Sequence, residues 1–310
     1  MTASKPLHDE STTLPHGAHL DSTAHLMNRI TSQLADQLSL VSRDGRRRPE
    51  PPTLVLVAHG SRDPRTLRTV TALVDRVREL RPGLPVRLGH IELNEPLLPD
   101  TLAALGTSEA VLVPLLLSRG YHVKRDIPDM AAAAPARTRV ATALGPHPLL
   151  VDALHDRLTE AGWRKGAEKT GVVLAAAGSR DPDAATDTGR TAQLLADRLG
   201  VPVIPAYASA AKPTVEEAVQ TLTARGCRRV AVASYFTAPG YFATQCAEAA
   251  PWIASAPLGT HPAMARLVLH RYDEALTTQD ERTYVRGAGL HQSAAPPRGA
   301  TSHPQPALAS

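Results

Sequence analysis

Cysteine is almost missing from this sequence, whose 310 residues include only two, Cys227 and Cys246. They form no C-x-x-C pair, so the sequence excludes a disulfide-rich scaffold and a cysteine-based zinc site. Two lone thiols are typical of a reducing compartment, and we expect both to be buried and unreactive. The sequence therefore favours a cytoplasmic protein.

Aromatic residues and net charge are also scarce. Aromatic side chains make up 3% of the chain, too few for a surface on which nucleic-acid bases stack. The formal net charge is +4, and no strongly basic domain is present. We therefore expect no nucleic-acid partner.

Long apolar runs are absent as well. The longest, AVLVPLLL at 110–117, is far too short to span a bilayer. The N-terminus begins with polar residues and has no apolar signal core. We therefore expect no association with a membrane.

The two ends of the chain differ in composition from the middle. Residues 1–52 are predicted to form a tail with a possible helix over 20–41, where apolar residues recur four apart, and then a linker. Residues 287–310 are rich in Pro, Ala and Ser and predict a disordered tail. No role follows for either end, and both a monomer and a homodimer are compatible with the sequence.

Between the ends, strand-like and helix-like stretches alternate, and the whole order occurs twice. In the first half strands are predicted near 53–58, 85–91, 109–115 and 138–142, and helices near 65–80, 98–105, 125–134 and 148–161. In the second half strands are predicted near 171–176, 201–207, 228–234 and 252–256, and helices near 184–199, 214–225, 240–249 and 262–277. This pattern predicts an α/β fold of two tandem, duplicated parallel-sheet sandwich domains, 53–162 and 171–277, on either side of a central cleft.

Polar residues follow the first three strands of the first half. His59 stands in LVLVAHGSRDPR, Glu92 in ELNEP and His122 in SRGYHVKRDIP. Because the carboxyl ends of parallel strands share one edge of a sheet, we expect these three side chains to converge in one crevice.

The second half keeps the surroundings of these residues but not the residues themselves. Its VVLAAAGSRDPD has Ala177 where the first half has His59, and the other two candidates become Ser209 and Phe242. Residues that only support the fold are needed in both copies, whereas catalytic residues need remain in only one. Two imidazoles and a carboxylate are also a common ligand set for divalent metals. The sequence therefore predicts an active first half and a degenerate second half that lines the cleft.

Residues retained in both copies are interpreted differently. His147 and His261 occur in the same context, GPHP and GTHP, and we predict structural roles for them. Ser61 and Arg62 are retained too, and either bind an anion at a helix N-terminus or cap that helix.

The motifs AHGSR, ELNEP and GYHVKRDIP, in this order, resemble those of the class II tetrapyrrole metal chelatases, and more narrowly the sirohydrochlorin chelatases of siroheme and cobalamin synthesis in their long, duplicated bacterial form. The resemblance covers roughly 53–277. It implies a lyase that inserts a divalent metal, Fe2+ or Co2+, into sirohydrochlorin without a nucleotide, with Ni2+ or Zn2+ as further metals in vitro. It also implies that His59, Glu92 and His122 are the catalytic and metal-binding residues.

Since sirohydrochlorin carries many carboxylates, basic side chains near the motifs become candidates for holding its periphery. The predicted substrate-binding residues are Ser61, Arg62, Arg119, Tyr121, Lys124 and Arg125. Two other functions stay open: a carrier of metal or tetrapyrrole without turnover, and a phosphoryl-transfer enzyme with His59 as its nucleophile. The physiological metal, and with it the pathway, is not readable from the sequence.

Overall fold

The structure is a computed structural model that describes residues 50–166 and 169–289, with side chains described as far as residue 278. The possible helix over 20–41 and residues 290–310 lie outside the described residues. The described residues from Pro52 onward belong to one compact unit. No helix in this described part is long and apolar enough to cross a bilayer.

The first half is a parallel four-stranded sheet with helices on both faces. Its strands are β1 (Thr53–Ala58), β2 (Val86–His90), β3 (Glu109–Pro114) and β4 (Arg137–Val140), in the spatial order β2-β1-β3-β4. Its helices are α1 (Pro64–Leu80), α2 (Leu98–Ala103), α3 (Ile127–Ala133) and α4 (Pro148–Glu160).

The second half repeats this arrangement. Its strands are β5 (Thr170–Ala176), β6 (Val203–Tyr207), β7 (Arg229–Ser234) and β8 (Ile253–Ala254), in the order β6-β5-β7-β8. Its helices are α5 (Pro182–Leu199), α6 (Val215–Ala224), α7 (Tyr241–Glu248) and α8 (Pro262–Gly289). The predicted fold of two duplicated parallel α/β sheets is therefore confirmed.

Several element boundaries differ from the prediction by one or two residues, and two differences have an evident cause in the sequence. The helix predicted from residue 125 is preceded by a π-helical turn, His122–Asp126, in which the Ile127 N–H donates to the His122 carbonyl. Pro128 follows without an N–H of its own, so a regular helical hydrogen bond is not available there. Helix α8 runs through Gly289 and covers 287–289 of the predicted disordered tail. Its sequence has no proline before residue 296 to end the helix earlier.

Alternate residues of each central strand enter different apolar clusters. Leu54 and Leu56 of β1 point into a cluster that the two halves share, whereas Val55 and Val57 point into a cluster of the first half alone. In β5, Leu174 joins the shared cluster and Val173 a cluster of the second half. Both faces of each sheet are thus covered, as a parallel sheet requires. Both cysteines are unpaired and buried, as expected.

The last helix of each half packs on the sheet of the other half. Helix α4 contacts β7, and α8 contacts β3 together with α1 and α4. Hydrogen bonds fix α8 in this position: Tyr272 donates to the Pro52 carbonyl at 2.7 Å, and Arg271 donates to the Leu144 carbonyl at 3.1 Å. The halves therefore exchange their terminal helices, a feature that the sequence pattern does not reveal.

Candidate metal centre

Three side chains from three successive strand ends meet at the carboxyl edge of the first sheet. His59 directly follows β1, Glu92 lies just beyond β2, and His122 begins the π-helical turn after β3. The Nδ1 atom of His59 lies 3.6 Å from Oε1 of Glu92. The rings of His59 and His122 stand edge to face, with centroids 4.7 Å apart. All three side chains are partly exposed, so a ligand in the crevice reaches them.

Glycine at position 60 allows the β1 and β2 loops to approach this closely. Gly60 has φ +100°, and an added Cβ would lie 1.8 Å from the carbonyl oxygen of Glu92. In the second half Gly178 has φ +93°, and a Cβ there would lie 1.8 Å from the Ser209 carbonyl. The shared glycine is therefore a requirement of the backbone in both halves.

His122 has a carboxylate partner that the sequence analysis missed. Its Nδ1 lies 2.5 Å from Oδ2 of Asp126, one helical turn further on. A neutral imidazole that donates from Nδ1 keeps the lone pair of Nε2 free, and this arrangement is common behind metal-binding histidines. The i, i+4 spacing of histidine and aspartate is the sequence signal from which the pair could have been found.

His59 is surrounded in a similar way on its Nδ1 side. The Gly60 carbonyl lies 3.3 Å from Nδ1, and the Glu92 carboxylate lies just beyond it. Since both neighbours are acceptors, these contacts favour the proton on Nδ1 and the lone pair on Nε2. Within residues 50–166 and 169–289, no group of three or more His, Cys, Asp and Glu side chains forms a ready-made metal cage.

The Ser-Arg-Asp-Pro run after each glycine begins a helix. Asp63 and Asp181 are the N-cap residues, each accepting a hydrogen bond from the backbone N–H two positions on. The Ser61 hydroxyl accepts from the Asp63 N–H at 3.1 Å, and Ser179 does the same in the second half. Ser61 is thus engaged in the turn itself, whereas the side chain of Arg62 is exposed beside it.

Arg119 and Lys124, predicted to hold substrate, form ion pairs with the second half. The Arg119 guanidinium forms a bidentate pair with Asp187, with a shortest distance of 2.7 Å. Lys124 Nζ lies 2.7 Å from Asp181 and 2.8 Å from Asp183. Substrate binding by these two residues stays a prediction, and their partners are a feature that the sequence analysis did not foresee.

The remaining predicted substrate-binding residues lie on the surface around the crevice. Tyr121 is 63% exposed, with its ring 6.2 Å from that of His122. Arg125 is exposed on the same turn. Within the described part of the chain, neither Arg62 nor Arg125 has a carboxylate within ion-pair distance, so both guanidinium groups are free to meet an anion.

The equivalent position in the second half has no metal-binding chemistry. The Ser209 hydroxyl donates to the Ala177 carbonyl at 3.0 Å and so bonds to the strand end where the first half carries its histidine. Phe242, which replaces His122, is 40% exposed beside Tyr241, which is 76% exposed. This half therefore presents aromatic surface in place of ligands.

The other histidines of the duplicated motifs have structural roles, as predicted. His147 caps α4 by accepting from the Leu149 N–H at 3.1 Å, and His261 accepts from the Ala263 N–H at 3.2 Å. His90 is buried near the end of β2, with Nδ1 3.2 Å from the Pro96 carbonyl. Desolvation lowers the pKa of His90 below 6.5, more than the contact with Pro96 and the charge of Glu95 raise it.

Known proteins are similar to this chain in sequence and in fold. A sirohydrochlorin cobaltochelatase from Methanococcus aeolicus is 38% identical over 80 residues, which are 25% of this chain and 56% of that protein. A sirohydrochlorin ferrochelatase from Priestia megaterium is 26% identical over 244 residues, 73% of this chain and 91% of that protein. Among solved structures, SirB from Bacillus subtilis with Fe3+ matches with a TM-score of 0.62 at 25% identity, covering 74% of this chain and 98% of that one.

The chain spans little more than half the length of some of these relatives, 56% for the Methanococcus protein and 59% for a sirohydrochlorin cobaltochelatase from Methanopyrus kandleri. A family model matches most of this chain. The model described as CbiX matches residues 53–161 and matches again at residues 171–275, the two halves of the duplicated fold. The chain therefore belongs to the CbiX family.

Proposed function

We propose that this protein inserts a divalent metal ion, Fe2+ or Co2+, into sirohydrochlorin without consuming a nucleotide. The observation that carries the proposal is the convergence of His59, Glu92 and His122 in the first half and the loss of all three in the second. The names of the relatives, sirohydrochlorin cobaltochelatase and sirohydrochlorin ferrochelatase, support the same reaction. We also infer a cytoplasmic location, which the two unpaired thiols support.

The incoming metal is held by the two histidines. In both rings acceptors surround Nδ1, so Nε2 is the nitrogen that binds the ion. The carboxylate of Glu92, 3.6 Å from His59, offsets part of the positive charge. A partly exposed site with two imidazole ligands releases its metal more readily than a closed four-ligand site does.

The proton balance of the reaction requires acceptors in the same crevice. A divalent ion replaces two inner N–H protons of the macrocycle, so the product has the charge of the starting tetrapyrrole and two protons leave. As the metal passes from the imidazoles to the ring nitrogens, Nε2 of His59 and Nε2 of His122 become free, and each accepts one of the two protons. The His59 imidazolium then releases its Nδ1 proton to the exposed carboxylate of Glu92 and so to water, and the exposed His122 imidazolium releases its proton to water directly.

The carboxylates of sirohydrochlorin are held around the crevice by exposed positive groups. Arg62 and Arg125 are the two predicted residues whose guanidinium groups are not already engaged by protein carboxylates in the described chain. Each forms charge-assisted hydrogen bonds with a peripheral carboxylate of the ring. Tyr121, next to His122, contacts the edge of the macrocycle.

The test is anaerobic insertion of Co2+ and of Fe2+ into sirohydrochlorin, followed by absorbance. Wild type is compared with His59→Ala, His122→Ala and the control His155→Ala, whose imidazole lies on α4 beside Asp156. We expect turnover by wild type and the control, and a rate near the uncatalysed one for the other two variants.

Each remaining outcome contradicts the proposal in a different way. Tight tetrapyrrole binding without turnover would identify a carrier. Hydrolysis of a phosphate ester that is lost in His59→Ala would favour the phosphoryl-transfer alternative. Equal rates for all four proteins would remove both histidines from the reaction.

A further inference from the structure

The segment that carries His122 is held by the second half at three points. We call residues 117–126 the His122 segment. At its start the Tyr235 hydroxyl donates to the Leu117 carbonyl at 3.0 Å. In its middle Asp187 accepts hydrogen bonds from Arg119, and near its end Lys124 donates to carboxylates at the start of α5.

Asp187 makes the most specific of these contacts. Its carboxylate accepts from the Arg119 backbone N–H at 2.9 Å and from the guanidinium Nε and Nη2 at 3.0 and 2.7 Å. The Asp187 side chain is 3% exposed, so its charge depends on Arg119 for compensation. A bidentate pair to a buried carboxylate, with an added backbone hydrogen bond, fixes both the position and the orientation of the residue it holds.

The first half makes far fewer contacts with the equivalent segment of the second half. By the alignment of the two copies, Thr69 corresponds to Asp187, Pro239 to Arg119 and Thr244 to Lys124, so the ion pairs have no counterpart. Among the described residues, one side-chain hydrogen bond runs from the first half to the equivalent segment, from the Thr66 hydroxyl to the Pro239 carbonyl at 2.6 Å. The second half therefore holds the segment with a histidine, and the first half does not hold its counterpart in the same way.

Displacement of Arg119 is transmitted to His122 over a short distance. Only two residues separate them, and the N–H groups of Val123 and Lys124 both donate to the Gly120 carbonyl at 3.1 Å. The backbone between Arg119 and Lys124 is thus one hydrogen-bonded turn, with His122 inside it and a clamp on each side.

We propose that Asp187 is a positioning residue, which acts through Arg119 to hold the Nε2 atom of His122 in place for the metal. The second half is then a structural support for the site in the first half, beyond forming a wall of the crevice. This inference rests on the proposed function for what His122 does, but the restraint on the segment is measurable without any turnover.

The test compares Asp187→Asn, Arg119→Met, the double variant and a control, Asp273→Asn. The control also breaks a bidentate Arg–Asp pair between the halves, with Arg81 at 2.7 and 2.8 Å. That pair lies at the C-terminal end of α1, about 25 Å along the helix from the crevice. Readouts are amide hydrogen exchange, Co2+ affinity of the protein without tetrapyrrole, and kcat and KM for each substrate.

We expect exchange across the His122 segment to accelerate, and Co2+ affinity to fall, each about tenfold, in both single variants. The double variant should be no worse than the more affected single variant, since each removes the same contact. KM for sirohydrochlorin should stay unchanged, and Asp273→Asn should behave as wild type in exchange and Co2+ affinity. Should Asp187→Asn fail to fold, Arg119→Met still tests the contact, because its side chain is half exposed.

Unchanged exchange and unchanged Co2+ affinity in Arg119→Met would overturn the proposal. So would a raised KM for sirohydrochlorin in Arg119→Met alone, because Arg119 would then bind substrate. If wild type neither binds Co2+ nor inserts it, the proposed function fails, whereas the exchange data still decide whether Asp187 restrains the segment.

Discussion

The Asp126 carboxylate lies 2.5 Å from Nδ1 of His122, inside a single π-helical turn. The wider π-helical turn brings residues one turn apart onto one face, and such turns are frequent at functional sites. The contact fixes the plane of the imidazole and directs Nε2 away from Asp126. The orientation of the nitrogen to which we assign the metal is therefore set by a neighbouring carboxylate on the opposite side of the ring.

Replacement of Asp126 by asparagine should weaken metal handling without unfolding the protein. Asparagine still accepts from Nδ1 but carries no charge, so the imidazole becomes a poorer donor to the metal. We expect Co2+ affinity and kcat each to fall about 10- to 100-fold. Calorimetric titration with Co2+ and the insertion assay measure this. Asp129→Asn, an exposed aspartate on α3, is the matched control and should match wild type. Equal affinities for the two variants would contradict the role of Asp126.

The pair Gly60→Ala and Gly178→Ala separates stability from function. Both glycines have positive φ, and at both an added Cβ would meet a carbonyl oxygen at 1.8 Å. We expect each variant to lose at least about 1–3 kcal/mol of unfolding free energy. Only Gly60→Ala displaces Glu92, so only this variant should also lose kcat at temperatures where both are folded. Denaturant unfolding measures the stability of both variants, and the insertion assay measures their kcat. Equal losses of kcat in Gly60→Ala and Gly178→Ala would contradict a role of Glu92 in the reaction.

Neutral replacements of Arg62 and Arg125 should affect binding of the tetrapyrrole rather than of the metal. Each of Arg62→Met and Arg125→Met removes one exposed positive charge, for which we expect KM for sirohydrochlorin to rise about two- to fivefold. The difference from wild type should shrink as salt is added, because exposed charges are screened. Arg68→Met, an exposed arginine of α1, serves as the control. A KM that does not depend on salt in wild type would contradict the assignment.

Buried His90 makes the folded protein sensitive to acid. Desolvation lowers its pKa in the folded state below 6.5, so the unfolded chain takes up this proton first as the pH falls. Stability is therefore fully present above about pH 6.5 and is lost below it, by up to about 1.4 kcal/mol per pH unit for one proton. His90→Gln should show a flatter profile in urea unfolding between about pH 8 and 5. Burial also lowers the pKa of His147, so part of the slope should persist. Identical slopes for the variant and wild type would exclude His90 as the source.

Much of the fold was predictable because the signals are local. Strand and helix periods alternate without interruption along the sequence. Because parallel strands bring their carboxyl ends to one edge of a sheet, His59, Glu92 and His122 could be grouped from the sequence. The loss of all three residues in the second copy indicates the same grouping. The cap of α1 was assigned less well, since the sequence analysis offered Ser61 and Arg62 and the structure places Asp63 at the N-cap.

What could not be predicted depends on contacts distant in the sequence. The ion pairs of Arg119 and Lys124 were not predicted, because their partners, Asp187 and Asp181, belong to the other copy. The packing of α8 on the first half was not predictable for the same reason, since the two sheets are similar and the apolar residues of this helix do not show which sheet they cover. Duplication makes this ambiguity worse, because each surface of one half has a near-equivalent in the other.

The exchange of terminal helices has a consequence for synthesis of the chain. The surface around β3 that α8 covers includes the site where Arg271 reaches the Leu144 carbonyl. While the first half leaves the ribosome, this surface has no permanent cover, and α8 is the last described element to emerge. The nascent first sheet therefore waits for more than a hundred further residues, about 5–20 seconds of synthesis at about 5–20 residues per second. During that interval the apolar face that α8 later covers is exposed to solvent.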